Sequence, residues 1–286
     1  MLRDYFPEGL PPDWTERGAV RRIMILGGTD TGKTTLVEAL ADRLSRSHPV
    51  GVVDLDVGQS TVGPPTTVAW TRITGGFPGR GVLHPEGIAF VGSLTPRGSF
   101  LPLMAGAVRM VNAAAAACPV VLIDTSGFIQ GPEGQIFKQH KVDLLEPDFL
   151  VALQRTEELE PTLHAFRHQD RPVILRLNVS PAVRTRSAEE RAAWRRERFA
   201  DHFTGEGERV IHLSEAGLRV TRDMPDLSNF ALRNRIVSLR DAHGKDLALG
   251  IILEVRRREG TLLIRTSLDP ETPVSTVLIG ETVSPL

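Results

Sequence analysis

The residues best suited to chemistry stand near the start of the chain, in Gly27-Gly28-Thr29-Asp30-Thr31-Gly32-Lys33-Thr34-Thr35. Their spacing is G-x-x-x-x-G-K-[ST], the pattern of a phosphate-binding P-loop. Gly27 and Gly32 let the backbone turn tightly, so that successive N–H groups converge on phosphate oxygens. Lys33 is placed to reach the β- and γ-phosphates, and the Thr34 hydroxyl to ligate Mg²⁺. Two carboxylates stand at the ends of apolar runs further on. Asp124 follows Val120-Val121-Leu122-Ile123, as the second acidic motif of a P-loop NTPase should, and its expected task is Mg²⁺. Asp56 lies just past Val50-Gly51-Val52-Val53-Asp54-Leu55 and could ligate Mg²⁺ or take a proton from an incoming hydroxyl. Asp54 reads as structural.

The elements that must position these groups are legible as alternating patterns. Ile23-Met24-Ile25-Leu26 is a buried strand running into the loop, and Leu36, Val37, Leu40 and Leu44 mark the helix after it. Further strands are expected at 50–54, 67–73, 88–91, 119–124, 149–153 and 173–177, with helices at 101–117, 161–168 and 187–203. This alternation predicts an α/β fold, a P-loop NTPase parallel sheet with helices on both faces. After Gly205 the character changes to short strands at 209–213, 235–239, 247–255, 261–266 and 274–279, with turn signals such as His243-Gly244-Lys245 between them. The expected organisation is a proline-rich leader at 1–20, a P-loop domain at 21–205 with a lid helix over 184–203, and a β-rich C-terminal domain at 206–286. That last module could brace the first or contact a substrate.

Composition narrows the classes. The chain has 286 residues, 24% charged and 41% hydrophobic, with a formal net charge of −1. That near-neutral balance excludes a globally basic nucleic-acid binder, so any such binding needs a local patch. Only Lys33, Lys138, Lys141 and Lys245 are lysines, and the remaining basic residues are arginines, planar groups that bind phosphate bidentately. Cys118 is the single cysteine, which excludes an intrachain disulfide and fits a reducing compartment. The N-terminus lacks a signal peptide's apolar segment, and Arg109 and Asn112 interrupt the most apolar stretch. A cytoplasmic protein without a membrane partner is expected.

Five stretches resemble the polynucleotide 5′-hydroxyl kinases of RNA processing. Gly27 to Thr35 is similar to that family's G-x-T-D-x-G-K-[ST]-[ST] loop, and Asp54-Leu55-Asp56-Val57-Gly58-Gln59 to its acidic-L-D-x-G-Q element. Gly92-Ser93-Leu94-Thr95-Pro96 resembles its G-S-x-T-P clasp, and Asp124-Thr125-Ser126-Gly127-Phe128-Ile129-Gln130-Gly131 its strand-end motif. Arg186-Ser187, with Arg191 and Arg195 and the run Asp201-His202-Phe203, resembles its arginine-rich lid. Spacing alone makes that helix a solvated charged face with i,i+4 ion pairs, Arg191, Arg195 and Arg198 along one side.

The resemblance implies an ATP- and Mg²⁺-dependent kinase that phosphorylates the 5′-OH end of RNA or DNA. By that likeness Gly28, Thr29, Asp30, Thr31, Gly32, Lys33, Thr34 and Thr35 hold ATP, while Thr34, Asp56 and Asp124 serve Mg²⁺. Lys33, Asp56, Arg186 and Arg191 carry the transfer, and Gln59, Thr95, Pro96, Arg97, Phe128 and Arg195 receive the acceptor strand. Phe128 stands where many members have tryptophan, and Ser99 near a frequent asparagine. Residues 1–20 take the place of the large N-terminal domain of eukaryotic relatives, which implies a compact prokaryotic form. Two other readings stay open: an ATP-binding scaffold of an RNA-processing complex, and a small-molecule P-loop kinase. A GTPase is disfavoured because no N-K-x-D motif is present.

Overall fold

The apolar runs become strands because they are covered on both sides, and the site depends on the order in which they pair. The computed structural model describes residues 2–6, 9–15, 20–205, 207–222 and 229–285; Pro7 of the expected leader lies outside them. Strands β1 (Arg21–Gly27), β2 (Val50–Leu55), β3 (Thr67–Ile73), β4 (Gly87–Phe90), β5 (Val120–Thr125), β6 (Phe149–Gln154) and β7 (Val173–Asn178) form one sheet. Their order is β4-β3-β2-β5-β1-β6-β7. The five from β2 to β7 are parallel, as expected. The sheet is extended at one edge by β3 and β4, each antiparallel to its neighbour. No helix intervenes between β2 and β3, and an antiparallel pair needs no crossover.

Alternation along β1 splits the core into two layers. Ile23 and Ile25 face one way, packing with Leu36, Leu40 and Leu44 of α2 (Lys33–Leu44) and with Trp14 from the leader. Trp14 is fully buried beside Phe149, so the leader is part of this layer and its short α1 (Leu2–Tyr5) touches α2. Met24 and Leu26 face the other way, toward α3 (Phe100–Ala117) and α4 (Gly131–Leu145). By length and composition α3 could span a bilayer. Here it lies on the sheet, with Leu103, Ala107, Met110, Val111 and Ala114 buried against it. Short α5 (Glu160–Leu163) completes that face.

The C-terminal strands form a second sheet. β8 (Gly207–His212), β9 (Gly217–Val220), β10 (Arg235–Arg240), β11 (Asp246–Arg256), β12 (Thr261–Thr266) and β13 (Thr276–Val283) pair in the order β8-β12-β11-β10-β13-β9. Between the two sheets runs α6 (Ala188–His202), whose Phe199, together with Phe203 just past its end, packs among Phe90, Ile251 and Leu278. Helix α4 and strand β9 were not anticipated from sequence. Gly131, Pro132 and Gly134 depress helix propensity at the start of α4, and Lys138 and Lys141 interrupt its apolar stripe.

Those two lysines are fully buried. Lys138 Nζ donates to Thr125 Oγ1 (3.0 Å) and to the Ser126 carbonyl (2.6 Å), pinning the end of β5. Among the described residues Lys141 Nζ has no hydrogen-bond acceptor, and it rests 4.3 Å from the Phe137 ring centroid. Burial pulls the Lys141 ammonium down to about 7. Its folded pKa therefore lies below the unfolded one, and the unfolded chain binds the extra proton between pH 7 and about 10.4. Stability should rise with pH across that window. Lys141→Met should raise the melting temperature at pH 7, and the gain should shrink by up to ~1.4 kcal/mol per pH unit toward pH 10. Denaturant titrations of both proteins from pH 6 to 10 measure it; a pH-independent difference would refute the neutral buried lysine.

Candidate active site

The strand order β2-β5-β1 brings the acids to the phosphate loop. In register, Asp54 of β2 sits beside Asp124 of β5, and Asp124 beside Ile25 of β1, at the carboxyl ends where α/β sheets bind ligands. Asp54 is spent on structure. It is buried and accepts from the backbone N–H groups of Asp56, Thr61 and Val62 and from the Ser60 hydroxyl, so it ties down the loop after β2. Burial raises its pKa, against the pull of those N–H donors.

Asp124 is 3% exposed, and its Oδ2 accepts the Thr34 hydroxyl at 2.6 Å. Its Oδ1 is buried with no hydrogen-bond partner among the described residues, an open oxygen beside a hydroxyl. Burial first, and then the Asp54 carboxylate, lift Asp124 above the usual carboxylate range. Such a group is costly unless a cation compensates it. Among the described residues no three side chains cluster as a complete metal cage. Mg²⁺ takes one or two carboxylates and completes its shell with water and phosphate, so the Asp124–Thr34 pair fits it.

Gly32, at φ +85, turns the loop into α2. Lys33 is 7% exposed, and its Nζ donates to the Gly28 carbonyl at 2.5 Å. Burial lowers its pKa, while Asp124, Asp56 and Asp30 oppose that shift. An anion at the loop would satisfy this ammonium. Asp56 Oδ1 accepts from the N–H groups of Gly58 and Gln59, which fixes the carboxylate at the cleft wall. A Cβ on Gly58 would lie 2.6 Å from the Leu94 carbonyl, so only glycine lets this loop pass the Gly92–Pro96 segment.

Helix α6 closes over the loop. Ser187 and Glu190 form a reciprocal capping box at its start. Asp30, in the left-handed region at φ 53, accepts the Arg186 N–H (3.2 Å) and the Arg191 guanidinium on the same Oδ2. Gln59 Nε2 donates to the Arg191 carbonyl and Trp194 Nε1 to the Ser60 carbonyl, both at 3.3 Å. Arg198, the third of the aligned arginines, turns to the Gly63 carbonyl.

These elements enclose one cleft of about 830 Å³. Of the residues singled out in the sequence, Thr29 to Thr35, Asp56, Gln59, Thr95, Pro96, Arg97, Phe128, Arg186, Arg191 and Arg195 line it. Gly28 and Asp124 lie just behind that wall, holding Lys33 and Thr34. Arg97 lies 5.9 Å from the Phe128 ring centroid and pairs with Glu133 (3.2 Å). Tyr5, Arg80 and Ser126 also line the cleft, and Arg155 donates to the Asp30 carbonyl (2.6 Å). Tyr5, Arg80 and Arg155 were not foreseen, while Ser126 stands within the Asp124–Gly131 motif without an expected role. Arg155 follows β6, the strand beside β1, so strand order was the signal that would have found it. Tyr5 had no such signal.

Asp30→Asn removes the charge that holds Arg191 and should loosen α6 from the loop. Trypsin should then cleave the 186–198 segment several-fold faster than in the parent protein. Equal cleavage rates would show that the helix docks without that ion pair.

Residues 27–205 match the family model of the mRNA cleavage and polyadenylation factor CLP1 P-loop. The polyribonucleotide 5′-hydroxyl-kinase of Pyrococcus horikoshii is 36% identical over 200 residues, 70% of this chain and 54% of the relative. Those of Pyrococcus furiosus and Methanocaldococcus jannaschii are 36% and 32% identical over 201 and 183 residues, 70% and 64% of this chain and 55% and 50% of theirs. The chain thus spans about half the length of the curated relatives it matches. A solved Clp1p chain in complex with Pcf11p has the same fold, at a TM-score of 0.74 and 13% identity, covering 94% of this chain and 76% of that one. Because that model covers well over half of the sequence, from the phosphate loop to the end of the arginine helix, the chain belongs to the CLP1 P-loop family.

Proposed function

We propose that this chain is an ATP-dependent polynucleotide 5′-hydroxyl kinase. One observation carries the reading: Lys33 and Thr34, the Asp56 carboxylate, the Thr95 segment and the Arg191–Arg195 face all line one cleft. A donor cradle, a base, an acceptor grip and a charge clamp are the parts that phosphoryl transfer needs. The names of the archaeal relatives support the same reaction class and an RNA acceptor.

In this reading the loop from Gly28 to Thr35 holds the triphosphate. Thr34 and Asp124 would hold Mg²⁺, with Asp56 as a further ligand, and the ion would neutralise phosphate charge. The acceptor's 5′-terminal nucleotide lies against Thr95, Pro96, Arg97, Gln59 and Phe128. Asp56 takes the proton of the 5′-hydroxyl as its oxygen attacks the γ-phosphorus in line. The bond between the γ-phosphorus and the β–γ bridging oxygen breaks, its electron pair leaving with ADP. Lys33, Arg186, Arg191 and Arg195 spread the charge that develops on the transferring group. Residues 21–205 form the catalytic unit and 206–286 a second unit, in a reducing cytoplasmic setting that suits the free, buried Cys118. RNA is the proposed natural acceptor, and 5′-OH DNA a further one.

Incubation with γ-labelled ATP and a 5′-OH oligoribonucleotide should label the 5′ end. Lys33→Ala should lower kcat/KM by about 10²–10³-fold, and Asp56→Asn by about 10²–10⁴-fold. A folded parent protein that transfers no label would overturn the kinase reading. ATP binding without transfer would favour a scaffold, and transfer to small alcohols in preference to oligonucleotides a metabolite kinase.

A further inference from the structure

The Gly92–Pro96 segment is not held by its own sheet alone. Gly92, at φ +78, lies against Gly280 of β13. A Cβ on Gly92 would stand 2.6 Å from Gly280 Cα, and one on Gly280 2.7 Å from Gly92 Cα, so neither side has room for a side chain. At this contact the Thr282 N–H and hydroxyl both donate to the Gly92 carbonyl at 3.1 Å.

Next to that seam runs a hydrogen-bond chain. The Thr95 N–H donates to Ser93 Oγ at 3.2 Å. Ser93 is fully buried, and its one proton faces two acceptors, the Thr95 carbonyl (3.0 Å) and the Glu281 carboxylate. A carboxylate outcompetes a neutral carbonyl for that proton. Glu281 uses its other oxygen for the Arg222 guanidinium, which packs 3.0 Å from where a Gly98 Cβ would stand. Thr95, Ser93, Glu281 and Arg222 therefore form a relay from the cleft wall into the C-terminal sheet.

We infer that Glu281 is a positioning residue for the acceptor site, through which the C-terminal sheet sets the conformation of Thr95 and the affinity for the 5′-OH end. The inference rests on the kinase reading above. Among the described residues, the side-chain hydrogen bonds of Lys33, Thr34 and Asp124 stay within the phosphate loop and the end of β5. Loss of the relay should thus act on the acceptor and spare the nucleotide.

The test is steady-state kinetics of the full chain with 5′-OH oligoribonucleotide and ATP varied in turn. Glu281→Gln should raise the KM for the oligonucleotide about tenfold, the size expected for one charge-assisted hydrogen bond, and leave the KM for ATP unchanged. Arg109→Met is the comparison. Arg109 joins α3 to the same second sheet, through the Gly244 carbonyl and Asp246, at residues outside the Thr95–Ser93–Glu281–Arg222 relay. If both variants raise the acceptor KM alike, Glu281 is only part of general docking and the inference fails. It also fails if Glu281→Gln leaves the acceptor KM unchanged. Should Glu281→Gln not fold, Ser93→Ala cuts the relay at its other end: the same selective rise supports the inference, and an unchanged acceptor KM overturns it. A parent protein inactive on every 5′-OH end would instead remove the kinase reading itself.

Discussion

The cost of keeping charge out of water governs this cleft. Asp54, Asp124 and Lys33 are all nearly excluded from solvent at the carboxyl end of one sheet. Coulomb attraction between them is strong in that environment, but so is the penalty on each charge left unmatched. Asp54 meets its cost with backbone N–H groups. Lys33 falls back on a backbone carbonyl, and one oxygen of Asp124 has no partner among the described residues. The incomplete compensation lies on the two groups nearest the phosphate loop. A site arranged so is complementary to an anion and a cation arriving together, rather than to either alone.

The second principle of the cleft is that Arg191 and Arg195 come from an element the sheet does not contain. Helix α6 is bonded to the phosphate loop through Asp30, to the loop after β2 through Gln59 and Ser60, and to the second sheet through Phe199. Asp30 repels phosphate yet sits in a phosphate-binding loop. Its place makes sense because its carboxylate is turned to Arg186 and Arg191, which delivers two cationic residues at the expense of one anionic one.

Much of the first sheet was legible because its strands are buried on both faces and read as unbroken apolar runs. Thr67–Ile73 and Thr261–Thr266 were placed to the residue. The phosphate loop, the two acids and the arginine helix were legible for another reason: each is a local pattern with a fixed spacing. What escaped was non-local. Helix α4 hides its stripe behind two buried lysines and begins with Gly and Pro, so period and propensity both argued against it. Strand β9 is four exposed residues at the sheet edge, paired with β13. Arg155 reaches the phosphate loop through strand order, and Tyr5 the cleft through chain packing, which no local window contains.

The glycine-to-glycine seam between residues 92 and 280 has a consequence for how such chains can be assembled. Two units joined by flexible linkers can be shuffled between proteins, because neither surface records the other. Here each backbone is imprinted on its neighbour at a spot too tight for even a methyl group. A C-terminal sheet transplanted from a relative would seat only if it offered glycine at the matching place and a carboxylate one residue on. The two halves of this chain should therefore be inherited, and engineered, as a single piece.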